Sequence, residues 1–168
     1  NMEKNKKFYL TCDDGPNKIY PPQVLDILKQ EKIKATFFVL GEEALKYPKL
    51  VRRIVKEGHT IGNHGYNHSY IKTVLGFPAE FSKTGQILEK IVGFKPKLYR
   101  VPFGYLNPLL WFYLKIKGMK HVRWNLVPRD WEIFDKNKLV KKILDNAKDG
   151  TIVLLHDGAF KGTENPNR

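Results

Sequence analysis

The sequence predicts an α/β fold built on a parallel sheet covered by helices. Three observations carry this. Short apolar runs alternate with amphipathic stretches of helical period along the chain; residues 35–40 (ATFFVL) are apolar without alternation, as in a strand buried on both faces; and no repeat, low-complexity tract or linker interrupts the pattern. The rhythm fits either an open doubly wound sheet or a barrel. With 168 residues, 42% of them hydrophobic, the chain can build one core but not two ordinary ones, so residues 1–168 are expected to form a single domain.

Residues 8–12 (FYLTC) read as the first strand. Residues 21–32 read as a helix with proline in its first turn and Val24, Leu25, Ile27 and Leu28 on one side. The apolar run 35–40 is the second strand, and 42–57 reads as one helix ended by Gly58. Further strands are expected near 60–61, 98–100, 122–124 and 151–155, with helices at 78–92, 108–117 and 136–148 between them. The last thirteen residues, 156–168, are polar and rich in Gly, Asn and Pro, which reads as a loop.

Thirty Lys and Arg against 17 Asp and Glu give a net charge of +13, so the surface attracts polyanions. The lysines are scattered, with no block longer than 4–7 and no RNA-binding or helix-turn-helix signature. A solvated lysine-rich face, and after it an anionic cell-wall surface, therefore ranks ahead of any specific nucleic acid. Cys12 is the single cysteine, which excludes an intrachain disulfide. No run of 18 apolar residues exists, so no transmembrane segment is expected in this chain. Asn1-Met2-Glu3-Lys4 has no apolar centre of a signal peptide, and a leader or anchor would lie outside it.

Parallel α/β folds work at the carboxyl ends of their strands, and five expected strand ends carry residues that are costly to bury. The first finishes in Asp13-Asp14-Gly15-Pro16, where the Gly-Pro turn can swing the second carboxylate round to meet the first. Adjacent carboxylates repel, and a cation would offset that. The third runs into Asn63-His64-Gly65-Tyr66-Asn67-His68; four residues apart on a helical turn, His64 and His68 would reach one metal ion. Two His and one Asp leave coordination positions open for water and substrate, the arrangement of a catalytic metal. Arg100-Val101-Pro102-Phe103-Gly104, Asp130-Trp131 and Leu154-Leu155-His156-Asp157 are weak signals singly, and His59 and His121 read as ordinary structural histidines.

Taken in order, Thr11 to Pro16, Gly58 to His68, Arg100 to Gly104, Asp130-Trp131 and Leu154 to His156 resemble the five motifs of the polysaccharide deacetylase family, carbohydrate esterase family four. The resemblance spans nearly the whole chain. It implies a distorted (β/α) barrel, with the closing C-terminal strand and helix not evident in this sequence, and one divalent metal ion, zinc first, with cobalt or another divalent ion as alternatives. Carried over, Asp14, His64 and His68 are the metal ligands and Asp13 the general base, held by Arg100. His156 is the general acid, oriented and charged by Asp130; Trp131 and Leu154 wall the acetyl pocket, and the Phe103 backbone N–H is a donor for the oxyanion. The implied activity is hydrolytic removal of acetyl groups from an acetylated polysaccharide, peptidoglycan or chitin-like oligomers with N-acetylglucosamine units foremost, by an extracytoplasmic monomer. A catalytically idle wall-binding module and a metal-dependent amidase of small amides are the competing readings. Four positions depart from the motifs: Cys12 stands for the usual Phe as a small buried filler, Gly65 for Ser or Thr, Val127 for an Asp, and Phe103 for Tyr. None is a proposed ligand, base or acid.

Overall fold

Alternation along β1 (Phe8–Asp13) divides its side chains between two layers. Leu10 and Cys12 join a core shared with helices, whereas Thr11 and Asp13 both reach Arg100 on the other side. In β2 (Thr36–Val39) the same rule sends Phe37 and Val39 to the helices and leaves Phe38 inward, with the Arg100 guanidinium 4.2 Å from its ring centroid. The computed structural model describes residues 7–75, 78–133 and 135–158. Residues 1–6 and the tail 159–168, read above as part of a loop, lie outside the described residues.

Six parallel strands form one sheet in the order β5-β4-β3-β2-β1-β6, with β3 (Thr60–Asn63), β4 (Leu98–Tyr99), β5 (Lys120–His121) and β6 (Thr151–His156). Register aligns their carboxyl ends: Asp13 lies opposite Phe38 and His156, Val39 opposite Asn63, and Asn63 opposite Tyr99. Beyond β5 the chain crosses to the far edge, where Leu126 bridges Val153 and the Asn125 amide donates to the Ile152 carbonyl. The sheet is thus a curled half-barrel whose edges are joined by one irregular segment, in keeping with the expected distorted barrel.

Helices α1 (Tyr20–Gln30), α2 (Gly41–Lys46), α3 (Pro48–Lys56), α4 (Tyr70–Val74), α5 (Pro78–Val92), α6 (Pro108–Ile116) and α7 (Lys136–Asn146) follow the strands. Leu25, Leu28, Val51, Ile54 and Leu88 pack on Phe37, Val39 and Ile61 as one core. Phe81, Tyr99, Val101, Leu110 and Leu114 form another beneath α5 and α6.

Three elements differ from the sequence reading. The helix expected over 42–57 is two, because Pro48 has no N–H for the carbonyl four residues back and its ring collides there, so α2 stops and α3 restarts with proline in its first turn. The strand expected at 122–124 is Lys120–His121; Val122 still donates to the Tyr99 carbonyl before the chain departs. The short α4 has no apolar period long enough to read.

Gly62 sits where β3 passes Phe38, and a Cβ there would lie 2.5 Å from the ring. Since Phe38 is fully buried under Arg100, Gly62→Ala should destabilise the fold by about 1–3 kcal/mol. A lowered denaturant midpoint at unchanged slope checks this.

Candidate metal and catalytic centre

Asp13 ends β1 and Asp14 follows it with φ 74°, a left-handed conformation that is rare outside glycine. The reversal expected of the Gly-Pro turn therefore begins in Asp14 itself, and it brings both carboxylates to the same rim. His64 follows β3 directly. His68 is not on a helical turn with it, as the spacing suggested; the two are joined by a loop that turns at Gly65 (φ 79°) and at His68 (φ 54°), and their rings lie 5.3 Å apart.

Asp14 Oδ1 is 3.3 Å from His64 Nε2 and 3.3 Å from His68 Nε2, and one ligand atom from each of the three residues falls within 4.8 Å of the others. The His64 Nδ1 lies 2.8 Å from the Arg100 carbonyl, which can only accept. A neutral His64 therefore carries its proton on Nδ1 and turns a lone pair at Nε2 toward Asp14. Two acceptors then face each other, and among the described residues no hydrogen-bond donor reaches the buried Asp14 Oδ1. Such a donor set fits a divalent cation. Without one, a proton takes its place: burial pushes His64 down, but Asp13 and Asp14 outweigh it and hold the imidazole above its usual range. Burial pushes Asp14 up, and His64 and His68 reverse this and hold it at about 2.

Asp13 is tied instead to Arg100, whose Nη1 donates to Asp13 Oδ1 and to the Thr11 hydroxyl, both at 2.7 Å, while Nε donates to the Val122 carbonyl. Arg100 is wholly buried, between Phe38 and Trp124. Burial raises the Asp13 carboxyl above the ordinary carboxylate range although His64 and Arg100 pull it down. Across the mouth, Asp130 grips His156 twice: one oxygen accepts from the His156 backbone N–H at 2.7 Å, and the other lies 2.9 Å from Nδ1. Burial pushes His156 down, and Asp130 more than offsets it, leaving the imidazole raised.

Asp13, His64, His68 and His156 border a cavity of about 250 Å³ whose apolar wall includes Phe103, Trp131 and Leu154. The Trp131 ring meets His156 edge-on at 5.1 Å, and Phe103, with φ 58°, packs 4.4 Å from His68. All ten residues singled out in the sequence thus lie at one rim. The sequence reading missed Trp124 and Val101, which also line the cavity, and noted Val127 only as a departure. It missed Thr11, although its place two residues before Asp13 on one strand face could have revealed it. Asp157 was also missed as a buried group: burial, with Asp14 and Asp13, pushes it up to about 8, and neither of its oxygens has a hydrogen-bond partner among the described residues. Cys12 lies on the helix side of β1, where burial pushes its thiol up, and His59 and His121 lie away from the cavity.

A family model described as polysaccharide deacetylase matches residues 1–122. A peptidoglycan-N-acetylglucosamine deacetylase of Bacillus cereus is 42% identical over 153 residues, which cover 89% of this chain and 71% of the relative. Another from the same organism is 38% identical, and the chain spans only about half of it, 54%. Among solved structures, peptidoglycan deacetylase PdaC of Bacillus subtilis superposes with a TM-score of 0.84 at 36% identity, over 97% of this chain and 81% of that one.

Because Asp130 contributes most to raising the His156 imidazole above its ordinary range, Asp130→Asn should lower the pKa of the imidazole. An NMR titration of the His156 ring reads the shift directly, and an unmoved midpoint would show that another group sets it.

Proposed function

Because the chain belongs to the polysaccharide deacetylase family, we propose that it is a metal-dependent hydrolase that removes the acetyl group from N-acetylglucosamine units of peptidoglycan or of a chitin-like oligomer, outside the cytoplasm. One observation carries the reading: a ligand set of Asp14, His64 and His68, an arginine-held carboxylate and an aspartate-held imidazole face one small cavity. At about 250 Å³ the cavity falls below the roughly 300–1,000 Å³ of ordinary ligand pockets. It suits an acetylated substituent reaching in from a polymer that lies across the mouth. A module that only bound sugar rings would have no use for the two proton-handling pairs.

A divalent ion held by Asp14, His64 and His68, zinc before cobalt, supplies Lewis acidity that makes water a nucleophile near neutral pH and offsets charge on the acetyl oxygen. Asp13 takes the proton of the attacking water; its raised affinity for protons suits it to that task, and Arg100 fixes one oxygen of the carboxylate while the other lies 3.6 Å from His64 Nε2, beside the ligand set. The Phe103 backbone N–H is the further donor for the developing oxyanion. His156, charged through Asp130, gives its proton to the departing sugar nitrogen, and Trp131 and Leu154 shape the wall against the acetyl methyl.

Acetate release from peptidoglycan fragments, chitooligosaccharides and acetylxylan tests the proposal. Release from the N-acetylglucosamine substrates should vanish on chelation and return with zinc or cobalt. Full activity of the metal-free protein would contradict it. His68→Ala should weaken zinc binding as well as rate, since it removes a ligand rather than a proton carrier.

A further inference from the structure

At the end of the barrel opposite the mouth, where the chain enters β2 and β3, a cleft of about 920 Å³ opens between α1 and α3. Lys29, Lys32, Lys49, Arg52 and Lys56 line it, and none of the five is in an ion pair among the described residues. Its walls are braced: Arg53 on α3 bonds Asp26 of α1 at 2.5 Å and Glu57 at 2.8 Å, and Lys34 donates to the Glu57 carbonyl. Helix dipoles explain part of the cluster, since Lys29 and Lys56 sit at helix C-termini, where a cation is favoured. They do not explain Lys49, which stands in the first turn of α3, where a cation is disfavoured, nor Arg52 in its middle.

A buried group also belongs to this cleft. His59 is 6% exposed, and the Ala35 N–H donates to its Nδ1 at 3.3 Å, which places the ring proton of a neutral His59 on Nε2. Among the described residues that Nε2 has no partner, so a buried donor stands unused in a residue that lines a cationic cleft.

We infer that this cleft binds a phosphodiester polyanion, a linear polyol-phosphate chain of the kind an anionic cell wall presents, and thereby moors the domain while the opposite mouth works on the glycan. A single small anion would leave most of the five cations uncompensated, whereas a polymer engages them together and gains from counterion release. Among the described residues no Phe, Tyr or Trp lines the cleft, and the His59 ring is too deeply buried to stack on a base, which sets the cleft apart from single-strand nucleic-acid grooves. Its lining is concave and, among the described residues, has no apolar residue to enter a bilayer, which sets it apart from a membrane-surface helix. The choice of a wall polymer among polyanions rests on the function proposed above; the binding of a polyanion does not.

The test uses the whole chain and poly(glycerol phosphate), with single-stranded DNA and anionic lipid vesicles as competing arms and acetate release from a soluble chitooligosaccharide measured in parallel. Poly(glycerol phosphate) should bind with strongly salt-dependent affinity. The triple variant Lys49→Gln, Arg52→Gln, Lys56→Gln should bind it at least about tenfold more weakly, with the log–log salt slope reduced by about 2–3, one unit or slightly less for each contact removed. Acetate release should be unchanged, because none of the three lies near the mouth. Unaltered polymer affinity in the triple variant, or tighter binding of DNA or vesicles than of the polymer, would overturn the inference. Polymer binding without acetate release would leave it standing and sink the proposed hydrolase instead.

Discussion

Two adjacent carboxylates, Asp13 and Asp14, are both more than nine-tenths buried at the end of one strand, and the remainder of the mouth is arranged around the charge they carry. Neither could remain ionised there without positive charge nearby, because burial and mutual repulsion both favour the protonated forms. The fold separates the problem in two. Arg100, delivered just after β4, is the cation paired with Asp13, while His64 and His68, which follow β3, are turned to Asp14. The left-handed backbone at Asp14 makes the separation possible, since in a regular strand successive side chains would face opposite layers.

Arg100 also couples the mouth to the core. Its guanidinium rests on Phe38, its Nε holds the Val122 carbonyl just where the chain leaves β5 for the far edge, and its own carbonyl fixes the His64 ring. One side chain therefore positions Asp13, the proposed base, and its backbone carbonyl positions His64, a proposed metal ligand. A lysine could not do the same, for it lacks the planar fork that serves Asp13, Thr11 and Val122 at once. The proposed acid, His156 with Asp130, is built independently on β6 and the segment that joins the sheet edges.

Much of this was legible in the sequence because each strand is an apolar run that stops at polar residues, and a parallel sheet collects those stops on one rim. Asp13, Asp14, His64, Arg100 and His156 were readable on that ground. The path to His68 was not: its spacing from His64 suits a helical turn, yet the loop achieves the same proximity through left-handed backbone at Gly65 and at His68, and a histidine does not advertise that conformation. The break at Pro48 was present in the sequence but outweighed by the apolar period on either side. The depth of Arg100 could not be read from its neighbours in sequence, since an arginine at a strand end is ordinarily solvated; it follows only from the meeting of β4 with the inner face of β1.

The central claim is that neighbouring carboxylates have different work, Asp13 moving a proton and Asp14 holding the metal. Zinc stoichiometry and acetate release measured side by side on Asp13→Asn and Asp14→Asn test it most directly. Asp13→Asn should bind one zinc per chain and lose about 10²–10⁴-fold in kcat, the range for a lost general base, while Asp14→Asn should lose zinc and activity together. Zinc lost from Asp13→Asn but retained by Asp14→Asn would contradict the account.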